Sequence, residues 1–394
     1  MKRLLLIAGL IFLFAIEILR IYFIMPFPGS QHNQTIDIAY WLGRNIWWLR
    51  VIGLLIILTP CIKIFKSGSL RKKIALSIFL LLYGLTFFMF TFRFEADKMF
   101  YQPKNKNFAN ASANKIALDK LILGIQVNGE AKAYPIQLIG YHHQVKDTVG
   151  NIPVIVTYCT VCRTGRVYSP VINGSPENFR LVGMDHFNAM FEDATTKSWW
   201  QQATGKAIAG KLKGSRLQEI PSAQSTLASW LIQYPQSAIL QPDTLFNKKY
   251  ENLAEYDKGT LKSNLEKRDS GSWQFKSWVI GIQHLNISKA YDWNKLLSQQ
   301  IIQDSLPGLP VLIGLEKDSM TFHVFNRAIK DTVLTFEKNN AANELTDIQT
   351  HSIWNMFGQC IEGALKGKQL QPIQAYQEFW HSWQTFHPQT KISE

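Results

Sequence analysis

Three long apolar runs occupy the first quarter of the chain and limit what this part can become. They are about Leu4–Met25, Ile46–Ile64 and Ile74–Phe92. A helix of roughly 20 apolar residues is long enough to cross a bilayer. The first run is too long for a signal peptide and two more runs follow it, so we expect it to be retained. The sequence therefore predicts a membrane region at 1–95 with three transmembrane helices.

Two charged residues interrupt the first apolar run. Glu17 and Arg20 are three positions apart, which places them on one helix face. Charged residues inside a membrane helix usually face the bundle and pair there. We expect that role for both, with the alternative that Arg20 extends to the membrane interface.

The positions of the basic residues predict the orientation of the helices. Cytoplasmic loops carry the excess of Lys and Arg. Lys2 and Arg3 precede the first run, whereas the basic residues between the first and second runs are sparse: Arg44, with Arg50 near the membrane edge. Five basic residues lie between the second and third runs: Lys63, Lys66, Arg71, Lys72 and Lys73. We therefore predict a cytoplasmic (inner) membrane protein with its N-terminus inside. Everything after about residue 95 is then extracytoplasmic, which in a bacterium means the periplasm.

The net charge of +13 does not indicate a nucleic-acid partner. Residues 1–95 hold 11 Lys and Arg against 3 Asp and Glu, which leaves 31 basic and 26 acidic residues in the rest of the chain. The basic excess thus belongs mostly to the membrane region. We predict that the membrane is a partner and that nucleic acid is not.

An internal duplication organises the remainder of the chain. Leu123–Tyr134 recurs as Ile280–Tyr291 at an offset of 157, and the series from Ser198 recurs from Ser352. In each copy, short strands precede an amphipathic helix, around Ser222–Tyr234 or Ala375–Phe386. We predict an α+β fold with pseudo-twofold symmetry. The predicted divisions are a linker at 96–120, a first repeat at 121–240, a connector at 241–276 and a second, degenerate repeat at 277–392.

The first repeat carries a C-x-x-C motif formed by Cys159 and Cys162. An apolar, β-branched run from Pro153 precedes it, and Gly165 and Pro170 follow. This pattern predicts a strand, a tight loop with two thiols and a second strand. In thioredoxin-like proteins such a pair begins a helix, so we predict a fold that is not thioredoxin-like.

The second repeat serves as an internal comparison for the thiols. At the offset of 157, Cys159 becomes Glu316, Cys162 becomes Ser319 and His142 becomes Gln299. Scaffold residues persist while these groups change, which favours a chemical role for them. We predict Cys159, Cys162 and His142 as catalytic residues. Arg163 and Arg166 follow the thiols and are expected to be solvated surface charges.

The ordered motifs resemble a known bacterial family. They are Ala133-Tyr-Pro-Ile136, His142, the run from Pro153 through Cys159-x-x-Cys162 to Gly165, and the segment Ser198–Gly210. Together they resemble the domain of unknown function 3179 family over roughly residues 95–390. The resemblance implies a family without an assigned activity, in which selenocysteine replaces one motif cysteine in some members. Such a replacement favours redox chemistry.

Three functions remain open from the sequence. The leading one is a membrane-anchored, extracytoplasmic thiol–disulfide oxidoreductase without a cofactor, acting on a redox partner protein or a small thiol or disulfide. Cys159 would react first, Cys162 would resolve the mixed disulfide and His142 would assist proton transfer. The second is a copper(I)-binding or copper-delivery module with Cys159, Cys162, His142 and Met184 as ligands. The third is a non-catalytic structural or assembly protein with a structural disulfide.

Overall fold

The chain is an α+β protein in which apolar helices precede a strand-rich part, as predicted. The computed structural model describes residues 2–393, so residue 1 of the predicted membrane region lies outside the described residues. The helices are α1 (Lys2–Tyr22), α2 (Ile36–Ser67), α3 (Leu70–Phe92), α4 (Ala96–Met99), α5 (Ile136–His142), α6 (Leu227–Gln233), α7 (Asn247–Glu251), α8 (Trp293–Gln299) and α9 (Trp380–Phe386).

The strands are short and mostly antiparallel. Up to residue 240 they are β1 (Phe108–Ala109), β2 (Leu121–Val127), β3 (Glu130–Pro135), β4 (Gln144–Val149), β5 (Ile152–Cys159), β6 (Thr164–Tyr168), β7 (Val171–Ile172), β8 (Ser175–Pro176), β9 (Phe179–Asp185), β10 (Asn188–Asp193), β11 (Trp199–Gln201), β12 (Ala207–Ala209), β13 (Ala223–Thr226) and β14 (Ala238–Leu240). Beyond it they are β15 (Trp278–His284), β16 (Ile287–Asp292), β17 (Ile301–Leu306), β18 (Leu309–Leu315), β19 (Phe322–Asn326), β20 (Ala328–Ile329), β21 (Thr332–Val333), β22 (Phe336–Asn339), β23 (Glu344–Asp347), β24 (Ile353–Asn355), β25 (Cys360–Glu362), β26 (Gln371–Pro372), β27 (Ala375–Phe379) and β28 (Lys391–Ile392).

The chain divides into two compact units. Unit 1 comprises Met1–Tyr101, Glu177–Gln201 and Gly205–Arg216. Unit 2 comprises Gln102–Pro176, Gln202–Thr204 and Leu217–Glu394. The first predicted repeat thus contributes residues to both units.

Unit 1 contains the long helices. Among the described residues, α1, α2 and α3 are long and apolar enough to cross a membrane, which confirms three apolar N-terminal helices. The second apolar run was predicted to begin at Ile46, but α2 begins ten residues earlier, at Ile36. The intervening residues include Arg44 and Asn45, which a helix accommodates readily once it leaves the apolar layer. Hydropathy therefore locates the span, whereas helix propensity sets the end of the helix.

Glu17 and Arg20 of α1 are each paired with a residue outside α1. Glu17 is fully buried and accepts bonds from Arg50 at 2.7 and 2.8 Å. Arg20 donates to Glu95 at 3.0 Å. A buried charge needs such a partner because apolar surroundings do not solvate it.

A four-stranded sheet completes unit 1, with strand order β12-β11-β10-β9. The connection between β10 and β11 is stabilised by Asp193, which accepts a hydrogen bond from the Trp200 indole N–H at 2.9 Å. Asp193 also accepts the Ser198 amide N–H at 3.1 Å. These bonds anchor the β10–β11 connection.

The first part of unit 2 contains a five-stranded sheet of order β1-β14-β3-β2-β13 and a three-stranded sheet of order β4-β5-β6. Asn128 and Gly129 form the two-residue turn between β2 and β3, and both have positive φ, at 50° and 84°. Two left-handed residues match the twist of a tight hairpin, for which Asn-Gly is the preferred sequence.

The later part of unit 2 repeats this strand order. Strands β27-β15-β16-β28 are arranged like β13-β2-β3-β14, and β17-β18-β19 like β4-β5-β6. The sheet β25-β24-β23-β22 includes a Trp354–Asp347 bond of 2.9 Å, equal in length to that of Trp200 with Asp193. Gly124 and Gly281 each leave room for a tryptophan ring, since a Cβ there would lie 2.4 Å from Trp230 or 2.2 Å from Trp383.

The late helices are shorter than predicted. Helix α6 begins at Leu227 and α9 at Trp380, whereas the sequence pattern suggested starts at Ser222 and Ala375. The preceding residues form β13 and β27, which pair with β2 and β15. Pairing with a central strand satisfies the backbone there and prevents the helix from extending.

Candidate functional site

The C-x-x-C motif lies in the turn between β5 and β6. Cys159 ends β5, where it pairs with Thr164 of β6. The Arg163 N–H donates to the Thr160 carbonyl at 3.3 Å, and Arg163 has a φ of 54°. The predicted order of strand, thiol-bearing turn and strand is therefore confirmed. This placement differs from the helix start at which the pair lies in thioredoxin-like proteins.

The two thiols form a fully buried pair. Both side chains have 0% exposure, and the structure holds them as thiols. The Cys162 thiol makes hydrogen bonds with Cys159 and with Ser382. Burial, and then the bond and charge of Cys159, raise the pKa of Cys162 well above that of a solvated thiol, whereas the Lys276 ammonium opposes this rise. The Cys162 thiol is thus protonated at rest, and the Lys276 ammonium is a cation that acts on it.

Lys276 is the ionisable group that acts on both sulfurs. Its side chain is buried, and this burial lowers the pKa of Lys276 to about 8, while the charges of Cys162 and Cys159 act in the opposite direction. Its Nζ donates to the Val161 carbonyl inside the motif and lies 3.1 Å from Nε2 of His381. Burial and the Lys276 charge lower the pKa of His381 to about 3, so His381 is neutral. Lys276 can therefore exchange its proton near neutral pH.

The last strand and helix of the chain complete the site. The Phe379 amide N–H donates to the Cys162 carbonyl at 3.0 Å. The hydroxyl of Ser382, in α9, lies 3.2 Å from the Thr164 hydroxyl. These contacts join residues more than 200 positions apart and hold the thiol turn in one conformation.

Arg163 and Arg166 are buried, so the expectation that they are solvated surface charges was wrong. Arg163 stacks 3.9 Å from the Trp278 ring centroid and donates to Gln377 at 2.8 Å. Arg166 pairs with Glu378. Burial of the guanidinium is the largest single influence on the pKa of Arg166 and lowers it, but the charge of Glu378 together with those of its other neighbours raises the pKa overall. A buried guanidinium is tolerated because its planar group can stack and form several hydrogen bonds together.

His142 lies in an aromatic cluster at the end of α5. Its Nε2 lies 2.7 Å from the Tyr250 hydroxyl, and its ring packs edge-on against Phe246 at 5.2 Å. The groups that act on the Cys162 thiol are Cys159, Lys276 and Ser382. A proton-transfer role for His142 stays a prediction.

Met184, the fourth copper ligand considered, belongs to β9 of unit 1, whereas the two cysteines and His142 belong to unit 2. Among the described residues, no group of three or more His, Cys, Asp and Glu side chains is arranged to hold a metal ion. The copper site stays a prediction.

A model of the family described as protein of unknown function (DUF3179) matches residues 101–390, which is more than two thirds of the chain. The chain belongs to the DUF3179 family. No curated protein and no solved structure matches it. The DUF3179 match begins just after the long helices and includes the thiol turn, Lys276 and α9.

Lys276, His381 and Ser382 of this DUF3179 protein are site residues that the sequence did not predict. Lys276 lies at the end of the predicted connector, and the other two lie in the repeat predicted to be degenerate. Comparison of the two copies contains a signal for one of them. In the late part of each copy, where Trp230 corresponds to Trp383 at an offset of 153, His381 matches Ala228, whose side chain has no polar group. A group present in only one copy is a candidate whichever copy carries it.

Proposed function

We propose that this DUF3179 protein is a membrane-anchored protein that carries out thiol–disulfide exchange with Cys159 and Cys162 as the reacting pair. One observation carries the proposal: the two thiols are in contact within a buried site, where the Lys276 ammonium acts on both. Burial combined with a specific charge partner is typical of functional ionisable groups. Thiols that only fill space in a core do not require a buried ammonium group beside them, so the position of Lys276 favours a chemical role for the pair.

In the proposed reaction, Lys276 stabilises the thiolate of Cys159, which attacks a sulfur of a disulfide in a partner protein or small molecule. The substrate S–S bond breaks, a mixed disulfide forms and the leaving sulfur takes up a proton. The Cys162 thiolate then attacks Cys159, forming the internal disulfide and releasing the second substrate thiol. Two electrons pass to the substrate, together with the two protons that the cysteines lose.

The copper alternative receives less support from these contacts. An ammonium beside two sulfurs repels a second cation, and the repulsion is strong where water is excluded.

A structural disulfide is the second candidate function, since buried thiols are usually inert. Complete burial of both sulfurs is the observation that favours it.

The duplication and the membrane orientation are part of the same proposal. The equal strand orders, the two Asp–Trp bonds and the two glycines beneath tryptophan rings support an origin by duplication. Basic residues at the end of α2 and the start of α3 support a cytoplasmic position for the loop that joins them, with the strand-rich part outside. An oxidising compartment would allow the thiol pair to cycle.

A redox titration of the full chain in detergent tests the proposal. With glutathione buffers, we expect a reversible two-electron transition that Cys159→Ser abolishes, with less than one metal ion bound per protein. The potential should lie in the range of exchange-active proteins, about −120 to −270 mV. A Cys360→Ser variant is the control and should titrate as the wild type does. A potential below about −300 mV would support the structural disulfide and contradict exchange.

Replacing Lys276 by Met should slow the reaction of the thiols with iodoacetamide about tenfold at pH 8. Loss of the ammonium raises the pKa of Cys162 further, and a change of one unit alters the thiolate fraction tenfold. The rate of alkylation against pH measures this, with peptide mapping to assign Cys162. Lys267→Met, at an exposed position of the same connector, is the control. Equal rates for the wild type and Lys276→Met would show that Lys276 does not activate the pair.

A further inference from the structure

A polar cavity lies within unit 1. It has a volume of about 240 Å³, and it is lined by α1, α2, the end of α3 and the sheet β9–β12. A single water occupies about 30 Å³ of liquid, so the cavity has room for a larger polar group. Five basic residues line it: Arg20, Arg44, Arg50, Arg180 and Lys197.

The acidic residues at this cavity are already paired. Glu95 accepts from Arg20 at 3.0 Å, and Glu192 accepts from Arg180 at 2.9 Å. The charge of Arg50 is neutralised by the Glu17 carboxylate of α1, which lies 2.7 Å from the Arg50 Nε. These three ion pairs use the acidic groups that surround the cavity.

Two cations are left without an acidic partner. Arg44 and Lys197 line the cavity, and neither forms an ion pair with any residue that the structure describes. The cavity therefore offers two positive charges without a counter-ion.

The position of the cavity suggests the source of its ligand. Arg20 lies in the last turn of α1 and Thr91 in the last turn of α3, so the cavity is at the same end of both helices. On α2, Trp41, Trp47 and Trp48 are 55%, 63% and 71% exposed. Exposed tryptophans on a membrane helix mark the level of the lipid headgroups. The cavity is thus at the depth where phosphate groups of lipids are found.

We propose that this cavity is a binding site for a phosphate-class anion, held by Arg44 and Lys197. The ligand carries a phosphomonoester or phosphodiester group, supplied either by an anionic lipid headgroup or by a soluble phosphate ester. Guanidinium groups suit such anions because their planar N–H groups match the phosphate oxygens. An anion there neutralises both unpaired cations.

Binding to the full chain tests the proposal, with two kinds of probe. Nanodiscs of phosphatidylcholine with or without phosphatidylglycerol test the lipid source, and glycerol 3-phosphate tests the soluble source. Fluorescence of Trp47 and Trp199, which line the cavity, reports binding. We expect Arg44→Gln/Lys197→Gln to weaken binding of the preferred probe on the order of 30-fold, since each basic residue contributes about fivefold. Both side chains lack ion pairs, so this variant should fold as the wild type does.

Lys66→Gln/Lys72→Gln removes the same charge from exposed positions in the last turn of α2 and the first turn of α3 and is the matched control. Loss of phosphatidylglycerol binding in the cavity variant but not in the control supports a lipid headgroup. The same pattern with glycerol 3-phosphate supports a soluble ester. If neither probe binds the wild type, or if the cavity variant binds as tightly as the control, the proposal is overturned.

Discussion

Replacing Glu378 by Gln is expected to lower the free energy of unfolding by about 3–5 kcal/mol, because it leaves the Arg166 charge buried without its main partner. The exposed fractions of the two side chains are 2% for Arg166 and 1% for Glu378. Glu378 also accepts a bond from Ser382 at 2.9 Å, so the loss extends to the thiol site. A urea titration of the detergent-solubilised chain, followed by tryptophan fluorescence, measures the change.

Two further variants are controls for the loss of stability in Glu378→Gln. Glu219 is the second acid near Arg166, at 3.7 Å, but its side chain is 35% exposed, so Glu219→Gln should cost less than about 1 kcal/mol. Arg166→Met/Glu378→Met removes both charges and should be much closer to wild type than Glu378→Gln, since no unpaired charge remains. A Glu378→Gln protein as stable as the wild type would show that Arg166 is solvated.

The second large effect is loss of stability in acid through two buried histidines. Burial lowers the pKa of His143 to about 4 and that of His381 to about 3, from the ordinary value of 6.5. Between pH 6.5 and these values the unfolded chain binds protons that the folded chain does not. Stability is therefore complete above pH 6.5 and falls as the pH decreases, by up to about 3 kcal/mol for His143 and about 5 kcal/mol for His381.

Comparison of the wild type with His143→Gln/His381→Gln isolates this contribution, since the carboxylates that also titrate are the same in both proteins. We expect the double variant to lose several kcal/mol less between pH 7 and pH 4 in the same urea titration. His351→Gln changes an exposed histidine and should follow the wild-type curve. If the free energy of unfolding had the same pH dependence in all three proteins, the pKa values of the two buried histidines would not be lowered by folding.

The sequence predicted those features that depend on neighbouring residues. Apolar runs located α1, α2 and α3, and the β-branched residues before Cys159 located β5 and the turn that follows. Periodicity could not separate β13 from α6, because pairing with β2 changes the conformation of residues that also suit a helix. Local patterns are reliable where no distant strand competes.

The chemistry of the site could not be predicted in the same way, because it depends on distant pairings. Arg163 and Gln377 are 214 positions apart, yet they form a buried hydrogen bond. An arginine after a turn resembles a surface residue unless its acidic or aromatic partners are known. Lys276 likewise resembled one more lysine of a polar connector, and only its contact with the Val161 carbonyl places it at the thiols.

The contact between Phe379 and Cys162 has a consequence for the biosynthesis of the protein. A ribosome that has just made Cys162 must add roughly 220 more residues before Phe379 and Ser382 exist. At about 5–20 residues per second this takes tens of seconds. During that time the nascent chain carries a thiol pair that nothing from its C-terminus covers. The pair is therefore most vulnerable to oxidation and mispairing before synthesis ends, and a chain that stops short of α9 never gains this protection.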